Sequence, residues 1–344
     1  MKTKSINVGG VMIGGGAPVS VQSMTNTKTE DIEAAAGQLM RLKTAGCDIA
    51  RVAVPNFEAA RAIAALKERV DIPLVADIHF DHKLAVEAAA AGADKIRINP
   101  GNIGGRENVR AVVRACRERS IPIRIGVNSG SLEKSALEKY GVSAEAMLES
   151  AMAHVRLLNE FDFDDICISV KASDVALTVA AYRLLRERTE YPLHLGVTEA
   201  GTEYMGIIKS AVGIGALLLD GIGDTIRVSL TAEPEKEIAA GIAILKAVGL
   251  RRGVKIVSCP TCGRTEIDLI NLAKEVERRL EGCDRDITVA VMGCAVNGPG
   301  EAREADFGIA GGKGEGLLFK KGEIVGKAPM EELADRLTAM IEGA

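Results

Sequence analysis

Three cysteines near the C-terminal end of this 344-residue chain have a spacing that could hold a metal centre. Cys259 and Cys262 form a CxxC loop, which alone is compatible with a redox dithiol, half of a zinc ribbon or part of an iron–sulfur site. A zinc ribbon needs a second close pair of cysteines, which is lacking, and a thioredoxin-like dithiol would not need Cys294. Three thiolates with one further position favour a [4Fe–4S] cluster, and Glu301 is a candidate for that position.

The remaining four cysteines are not expected to hold metal. Cys47, Cys116 and Cys167 stand beside apolar residues and are predicted to be small buried hydrophobic side chains, whereas Cys283 lies in a charged turn. We expect no secretory leader at the N-terminus, and an odd total of seven cysteines then argues against a disulfide framework. We therefore expect a cytoplasmic protein with reduced thiols.

Polar side chains recur near the ends of the strand-like runs. They are Arg51; Asp77 and His79; Arg97 and Asn99; Arg124 and Asn128; Ser169 and Lys171; Thr198 and Glu199; and Arg227 and Ser229. A spacing of two or four residues places a pair on one face of a strand. If that face lines a closed barrel, five cations meet at one mouth, namely Arg51, Arg97, Arg124, Lys171 and Arg227, hereafter the mouth cations. Guanidinium groups match phosphate oxygens, so a phosphate or diphosphate ligand is predicted.

Each of these residues also has a purely structural interpretation. The cations could face outward and pair with acids on helices, and His79 could be a hydrogen-bonding residue instead of a catalyst. Asp77 could simply orient neighbouring arginine or histidine side chains. Glu199, a carboxylate among cations, could exchange protons with a bound hydroxyl group or only balance charge.

The elements that would position these residues alternate between short β-branched runs and longer runs rich in Ala, Leu, Glu and Arg. The predicted strands are Val19–Met24, Asp48–Val54, Leu74–Ile78, Lys95–Ile98, Ile123–Val127, Asp165–Val170, Leu193–Val197 and Thr225–Leu230. A helix-like run follows each of them. The clearest of these runs are Glu30–Ala45, Glu58–Arg69, His82–Ala91, Glu107–Arg119, Asp174–Arg188 and Glu233–Val248. Eight such units in about 250 residues favour a (β/α)8 TIM barrel over an open doubly wound sheet.

A second domain is predicted after a Gly-Leu-Arg-Arg-Gly break at residues 249–253. The barrel would occupy residues 1–250, and a small α+β iron–sulfur domain would occupy residues 254–344. Its predicted parts after the CxxC loop are a helix (Glu266–Leu280), a strand (Ile287–Val291), a glycine-rich stretch (Gly308–Gly316), a hairpin (Gly316–Ile324) and a final helix (Met330–Ile341).

Composition disfavours two classes of partner. The net charge is −4, aromatic residues make up 3% of the chain and tryptophan is absent, so a nucleic-acid surface of basic and stacking side chains is not expected. The apolar runs are short and interrupted by charges, so no membrane span is expected either.

Two long motifs in the C-terminal part resemble those of a known enzyme family. The segments SCPTCGRTEID (Ser258–Asp268) and MGCAVNGPGEA (Met292–Ala302) are similar to the iron–sulfur motifs of the 4-hydroxy-3-methylbut-2-en-1-yl diphosphate synthases. The similarity continues through RVAVP (51–55), ADIH (76–79), KIRINPGN (95–102), IGVNSGSLE (125–133), SVKAS (169–173) and GVTEAG (196–201). It covers nearly the whole chain and has the length of the bacterial two-domain form.

The resemblance implies a reaction in isoprenoid precursor biosynthesis. The expected substrate is 2-C-methyl-D-erythritol 2,4-cyclodiphosphate, which undergoes reductive ring opening and loses a hydroxyl group as water. The product is 4-hydroxy-3-methylbut-2-enyl diphosphate, and flavodoxin or ferredoxin supplies the electrons. One [4Fe–4S] cluster per chain would be held by Cys259, Cys262, Cys294 and Glu301.

The resemblance also implies roles for residues of the barrel, carried over by position. The expected diphosphate ligands are Arg51, Arg97, Arg124, Asn128, Lys171 and Ser229, with Thr198 and Arg227 beside them. Asp77, His79, Asn99 and Glu199 would surround the carbon skeleton, with Glu199 and Glu301 as the catalytic carboxylates.

Chain topology predicts a homodimer. The eighth helix runs back from the mouth for about 24 Å, and a linker of five residues then reaches at most ~18 Å. The second domain therefore starts at the wrong end of its own barrel, and a twofold dimer with a shared active site solves the problem. The rival interpretation is a pterin-binding-type barrel transferase with a separate metal-binding domain, which leaves the three spaced cysteines unexplained.

Overall fold

The computed structural model describes residues 3–294, 300 and 302–344. The chain forms two compact units, Met1–Leu250 and Arg251–Ala344. Glu301, the expected fourth ligand, and residues 295–299 of the same motif lie outside the described residues.

The first unit contains eight parallel strands in the order β8-β7-β6-β5-β4-β3-β10-β9. They are β3 (Ser20–Met24), β4 (Ile49–Ala53), β5 (Leu74–Asp77), β6 (Lys95–Ile98), β7 (Ile123–Asn128), β8 (Ile166–Lys171), β9 (His194–Leu195) and β10 (Thr225–Ile226). A single parallel bridge between Ile168 and Leu193 brings β9 to β8, so the sheet is nearly closed. The predicted barrel is confirmed, although the last two strands are much shorter than predicted.

Helices follow every strand of the barrel. They are α1 (Ile32–Thr44), α2 (Phe57–Arg69), α3 (His82–Ala90), α4 (Arg106–Arg117), α5 (Lys134–Tyr140), α6 (Ala144–Asn159), α7 (Val175–Arg188), α8 (Glu203–Leu219) and α9 (Pro234–Ala247). Several begin at a side chain that accepts a hydrogen bond from a backbone N–H of the first turn, which stabilises that end. These capping residues are Asp31, Asn56, Asp81, Ser143 and Asp174.

A hairpin that we did not predict precedes the barrel. Its strands, β1 (Ser5–Val8) and β2 (Val11–Gly14), are antiparallel and joined by Gly9 and Gly10 at positive φ. Two glycines between alternating apolar residues are the sequence signal for such a turn. The hairpin packs Ile6, Val8 and Ile13 against Ile49, Val75 and Cys167 near the beginnings of the barrel strands. It therefore closes the end of the barrel opposite the mouth.

Alternation along the strands separates an apolar outer face from a polar interior. Residues such as Val52, Ala76, Ile96 and Ile125 belong to the large core that the helices cover. The residues between them point inward, because successive side chains of a strand face opposite sides. Because of this alternation, the side chains of Arg51, Asp77, Arg97 and Arg124 point into the interior, as the sequence spacing predicted.

A polar layer that we did not predict lies below the mouth cations. Ser20, Thr225 and His194 stand in register on β3, β10 and β9, and Gln22 and Lys95 share the interior face. Polar atoms of all five side chains are buried without a hydrogen-bond partner in the described part of the chain. Burial lowers the pKa of Lys95 to about 8; Cys167 acts in the opposite direction, and the guanidinium groups of Arg124 and Arg51 lower this pKa as well.

In its described residues, the second unit contains a mixed five-stranded sheet and the helices α10 (Leu269–Arg279) and α11 (Leu333–Glu342). The strands, in order across the sheet, are β11 (Lys255–Ser258), β12 (Thr288–Met292), β13 (Phe307–Ala310), β14 (Glu315–Lys320) and β15 (Glu323–Pro329). A short 3-10 turn precedes α11. The predicted strand, hairpin and helices are present with shifted bounds, whereas β11 and β13 were missed. None of the described helices combines the length and apolar character needed to cross a lipid bilayer.

The side chain of Tyr182 on α7 bridges the gap between β8 and β9, hereafter the seam. Its buried hydroxyl group accepts a hydrogen bond from the Val170 N–H and donates one to the His194 carbonyl. In the described structure the two strands share only one β-bridge. The Tyr182 hydroxyl therefore takes the place of a direct backbone hydrogen bond between Val170 and His194.

We expect Tyr182→Phe to lower the free energy of unfolding by about 2 kcal/mol, because two buried backbone groups lose their partner. Urea unfolding monitored by circular dichroism measures the change. Tyr140→Phe, on the partly exposed end of α5, is the matched control. Equal stability of Tyr182→Phe and the wild type would contradict this account of the seam.

We expect Lys95→Met to flatten the rise of stability with pH above about pH 8. In the wild type the folded state releases the Lys95 proton at about pH 8, whereas the unfolded chain holds it to about pH 10.5, so stability increases across that window. The difference amounts to about 3 kcal/mol. Unfolding of both proteins in urea from pH 7 to pH 10.5 tests it, with Lys83→Met on the surface as control. Parallel pH profiles for wild type and Lys95→Met would refute the prediction.

Candidate active site

Asp77, at the end of β5, organises one side of the barrel mouth. Its carboxylate lies 3.1 Å from Arg97 Nη1, 3.8 Å from Arg51 Nε and 3.5 Å from His79 Nε2. Burial alone would raise the pKa of Asp77, but Arg51, His79 and Arg97 hold that pKa well below its usual range. Asp77 is therefore an ionised counter-charge that fixes two of the mouth cations.

Arg124 and Lys171 form the second part of the mouth and lack such a counter-charge. Neither pairs with a carboxylate within the ranges that the structure describes; Arg124 Nη1 lies 3.4 Å from Ser169 Oγ. Burial, then Arg97, lower the pKa of Arg124 to about 10. Burial, then Arg124 and Arg51, lower the pKa of Lys171 well below its ordinary value. Positive charge thus accumulates here in a nearly dry environment, which favours an anionic ligand.

Arg227 is the one mouth cation that pairs with a helix acid in the described structure. Its guanidinium group meets the carboxylate of Glu237 on α9, with both N–O distances at 3.2 Å. Arg227 also lowers the pKa of both Arg51 and Lys171, so it is electrostatically part of the same mouth. The outward-facing alternative is therefore wrong for the mouth cations as a group.

Two glycines make room for the cations, and sequence reasoning missed both. A Cβ atom on Gly126 would lie 2.6 Å from Arg97 Nε. A Cβ atom on Gly196 would lie 2.6 Å from Lys171 Nζ and 2.6 Å from the Arg227 carbonyl oxygen. Both stand two residues from an interior position of their strand, and glycine inside a strand often marks such a close approach.

The remaining predicted site residues lie along the rim. Asn99 is buried, and its Oδ1 accepts a hydrogen bond from the Gly101 N–H at 3.1 Å. Asn128, Thr198 and Ser229 are half-buried at the ends of their strands or just beyond.

His79 and Glu199 are the most exposed of the predicted site residues in the described structure. Glu199 makes no ion pair with the mouth cations among the residues described. The structure therefore does not place its carboxylate among these cations, as the sequence analysis expected. Its backbone has a positive φ of 51°, a conformation that is costly for a residue with a side chain and is found at functional sites.

The three candidate metal ligands belong to the second unit. Cys259 follows β11 and Cys294 follows β12, and these strands are parallel neighbours with Ser258 opposite Val291. The backbone N–H of Gly293 donates to Cys259 Sγ at 3.1 Å, which ties the two loops together. All three thiols are free of disulfide bonds.

Cys262 completes the set within a tight loop. The Thr265 hydroxyl accepts a hydrogen bond from the Cys262 N–H at 3.1 Å. The Arg264 backbone N–H, with help from the Thr265 and Arg264 side chains, lowers the pKa of the Cys262 thiol, which favours the thiolate that binds metal. Sequence reasoning did not single out Thr265 or Gly293.

These residues fit an iron–sulfur group by donor chemistry. Three free thiols lie in the loops that follow two adjacent strands, and the backbone N–H groups of Gly293 and Arg264 are directed at sulfur, a contact that tunes the potential of iron–sulfur sites. No group of three His, Cys, Asp or Glu side chains is close enough to hold a metal ion within residues 3–294, 300 and 302–344, and Glu301 is outside that set. Cys283 follows α10, at the other end of the crossover from Cys259, which fits the expectation that it has no ligand role.

Comparison with known proteins tests the resemblance noted in the motifs. Residues 3–242 match the family model of the GcpE TIM-barrel domain, and residues 255–343 match that of the GcpE protein C-terminal domain. The 4-hydroxy-3-methylbut-2-en-1-yl diphosphate synthase (flavodoxin) of Geobacter sulfurreducens is 61% identical over 99% of this chain and 97% of that protein. The protein of the same name from Clostridium perfringens is 59% identical over 99% of this chain and 98% of its own length.

Comparison with solved structures shows a similarity of fold and nothing beyond it. The dihydropteroate synthase of Yersinia pestis superposes with a TM-score of 0.52 at 16% identity, covering 71% of this chain and 97% of that structure. Such identity shows a shared barrel, so the pterin-binding transferase alternative is not favoured over a match that spans both units. The resemblance seen in the sequence motifs is confirmed. The chain belongs to the GcpE family, the family of the 4-hydroxy-3-methylbut-2-en-1-yl diphosphate synthases.

Proposed function

We propose that this chain catalyses the reductive ring opening of 2-C-methyl-D-erythritol 2,4-cyclodiphosphate to 4-hydroxy-3-methylbut-2-enyl diphosphate. Two electrons and two protons enter, the bond from carbon to the diphosphate oxygen breaks, and one hydroxyl group leaves as water. Relatives with this printed activity are about 60% identical to the chain over nearly its full length. They are named for flavodoxin, which we propose as the electron donor, with ferredoxin as the alternative.

The observation that carries the proposal is the excess of buried cations at one barrel mouth. Asp77 and Glu237 are the acids paired with the mouth cations in the described structure, and they leave Arg124 and Lys171 without a carboxylate. These two side chains are the principal ligands for the diphosphate, with Arg51, Arg97 and Arg227 donating from their remaining N–H groups. As the carbon–oxygen bond breaks, negative charge grows on the diphosphate, and donors fixed in advance stabilise it.

The rim residues would handle the carbon skeleton and its hydroxyl groups. Asn128, Thr198 and Ser229 supply neutral donors beside the diphosphate. Asn99 follows β6 and His79 follows β5, and Asp77 orients His79 at 3.5 Å. We assign proton delivery to the departing hydroxyl group to Glu199, whose exposed carboxylate can collect a proton from solvent.

We further propose one [4Fe–4S] cluster per chain, held by Cys259, Cys262, Cys294 and Glu301. When bound, such a group supplies electrons one at a time at low potential, together with a Lewis-acidic iron. The protein's own contribution is to hold three thiolates at the ends of β11 and β12 and to donate the Gly293 N–H to sulfur. The free cysteines fit a reducing compartment, and we propose a cytoplasmic location.

Anaerobic turnover of the cyclodiphosphate with a chemical reductant tests the proposed function. We expect the wild type to be brown with about four irons per chain, and Cys294→Ser to lose iron and turnover. Cys283→Ser, in the same unit but outside the ligand set, is the matched control and should keep both. Glu301→Ala tests the fourth ligand in the same assay. A colourless zinc protein, or a fully active Cys294→Ser variant, would exclude this function.

We also propose a homodimer with an active site shared between chains. α9 runs antiparallel to β10, so the barrel polypeptide ends at Leu250, on the closed side away from the mouth. A second copy could therefore supply the iron–sulfur domain. α8 also presents an exposed apolar stripe, Tyr204, Ile208, Val212 and Leu219, of the kind that marks protein interfaces.

The dimer proposal is tested by charge placed on this stripe. We expect Tyr204→Glu/Val212→Glu to weaken self-association at least about tenfold, since two charges would be buried at the interface. Sedimentation velocity over a dilution series measures the association. Met40→Glu, at an exposed apolar residue of α1, is the control. A wild type that stays monomeric while fully active at high concentration would contradict the shared site.

A further inference from the structure

Glu237, in the first turn of α9, is almost fully buried at the edge of the mouth, with 4% of its surface exposed. Its Oε2 accepts hydrogen bonds from Arg227 Nε at 3.2 Å and from the Ser23 hydroxyl group at 2.9 Å. Its Oε1 accepts from Arg227 Nη2 at 3.2 Å and from the Leu230 backbone N–H at 3.0 Å. Four donors saturate the carboxylate, as a buried charge requires.

This arrangement fixes the orientation of Arg227. The Nε–Nη2 edge of the guanidinium group is held by Glu237, so the Nη1 side remains for other contacts and lies 3.9 Å from Met24 Sδ. Arg51 Nε approaches the same sulfur at 3.1 Å, which places the two guanidinium groups on either side of Met24. A planar, bidentate pairing of this kind determines direction as well as distance.

The pairing opposes a repulsion inside the mouth. Arg227 has Arg51 and Lys171 as cationic neighbours, and like charges in a poorly hydrated site push each other apart. Without the carboxylate, Arg227 would gain by turning toward solvent. The Leu230 N–H contact also ties down the segment after β10, which carries Ser229, one of the predicted diphosphate ligands.

We propose that Glu237 is a positioning residue of the diphosphate subsite, holding the Arg227 guanidinium against its cationic neighbours and anchoring the segment that bears Ser229. The inference rests on the proposed function, since it assigns Arg227 and Ser229 to the diphosphate of the substrate. Glu237 itself touches no substrate and acts through these two residues.

Binding of inorganic pyrophosphate to the full chain, measured by calorimetry after anaerobic purification, tests this role. The series comprises wild type, Glu237→Gln, Arg227→Met and the double variant. Glu235→Gln is the matched control, because it lies on the same helix and pairs with Arg41 at the surface. We expect Glu237→Gln to weaken pyrophosphate binding roughly tenfold and Glu235→Gln to leave it unchanged. In the Arg227→Met background we expect Glu237→Gln to weaken binding by a smaller factor, because only its effect through the Ser229 segment remains.

A purely structural role predicts a different pattern. Equal weakening by Glu237→Gln with and without Arg227 would overturn the proposal, as would wild-type binding by Glu237→Gln. So would a wild type without affinity for pyrophosphate. If Glu237→Gln does not fold, Glu237→Asp, which keeps the charge but withdraws it by one methylene group, replaces it in the cycle.

Turnover separates this inference from the proposed function. If the wild type binds pyrophosphate with the expected coupling but does not convert the cyclodiphosphate, the reaction assignment fails while the positioning role stands. If it converts the cyclodiphosphate but shows no coupling between positions 227 and 237, the positioning role fails alone.

Discussion

The mutual repulsion of buried cations is the constraint on which the rest of this barrel depends. Burial, together with neighbouring cations that include Arg97, lowers the pKa of Arg51, Arg124 and Lys171, and Asp77 offsets only part of that cost at the two arginines. The fold tolerates the arrangement because the opposite face of every strand is apolar and covered by helices. Stability is thus supplied by the outer shell, whereas the mouth end of the interior holds more positive than negative charge.

Helices contribute to the site as well as to that shell. Glu237 reaches from α9 to the mouth, and Tyr182 reaches from α7 into the seam beside β9. The seam is where Gly196 lets Lys171 pass, so the ladder there is short and a side chain takes its place. The same local irregularity that shortens β9 therefore makes room for the Lys171 side chain at the mouth.

The alternation of side chains along the strands made much of the site predictable. Spacings of two or four residues placed Asp77, Arg97, Arg124 and Lys171 on the inner faces of their strands, and alternating β and α runs predicted the closed sheet. Glu237 could not be found this way, because an acid in the first turn of a helix looks like an ordinary helix-stabilising residue. The length of β9 was overestimated because its apolar character predicts strand, whereas contacts with Lys171 and Tyr182 decide where its pairing stops. Glu199 was predicted as a site residue from its place after a predicted strand. The exposure of its side chain, however, depends on the turn that follows β9.

The position of the β1–β2 hairpin affects how ions and small molecules reach the barrel interior. Ile6, Val8 and Ile13 pack against Ile49, Val75 and Cys167 at the end of the barrel opposite the mouth. An apolar plug is costly for a charged group to cross, so it favours exchange of ions through the mouth. The plug also lies at the same end as the buried layer that contains Lys95 and His194.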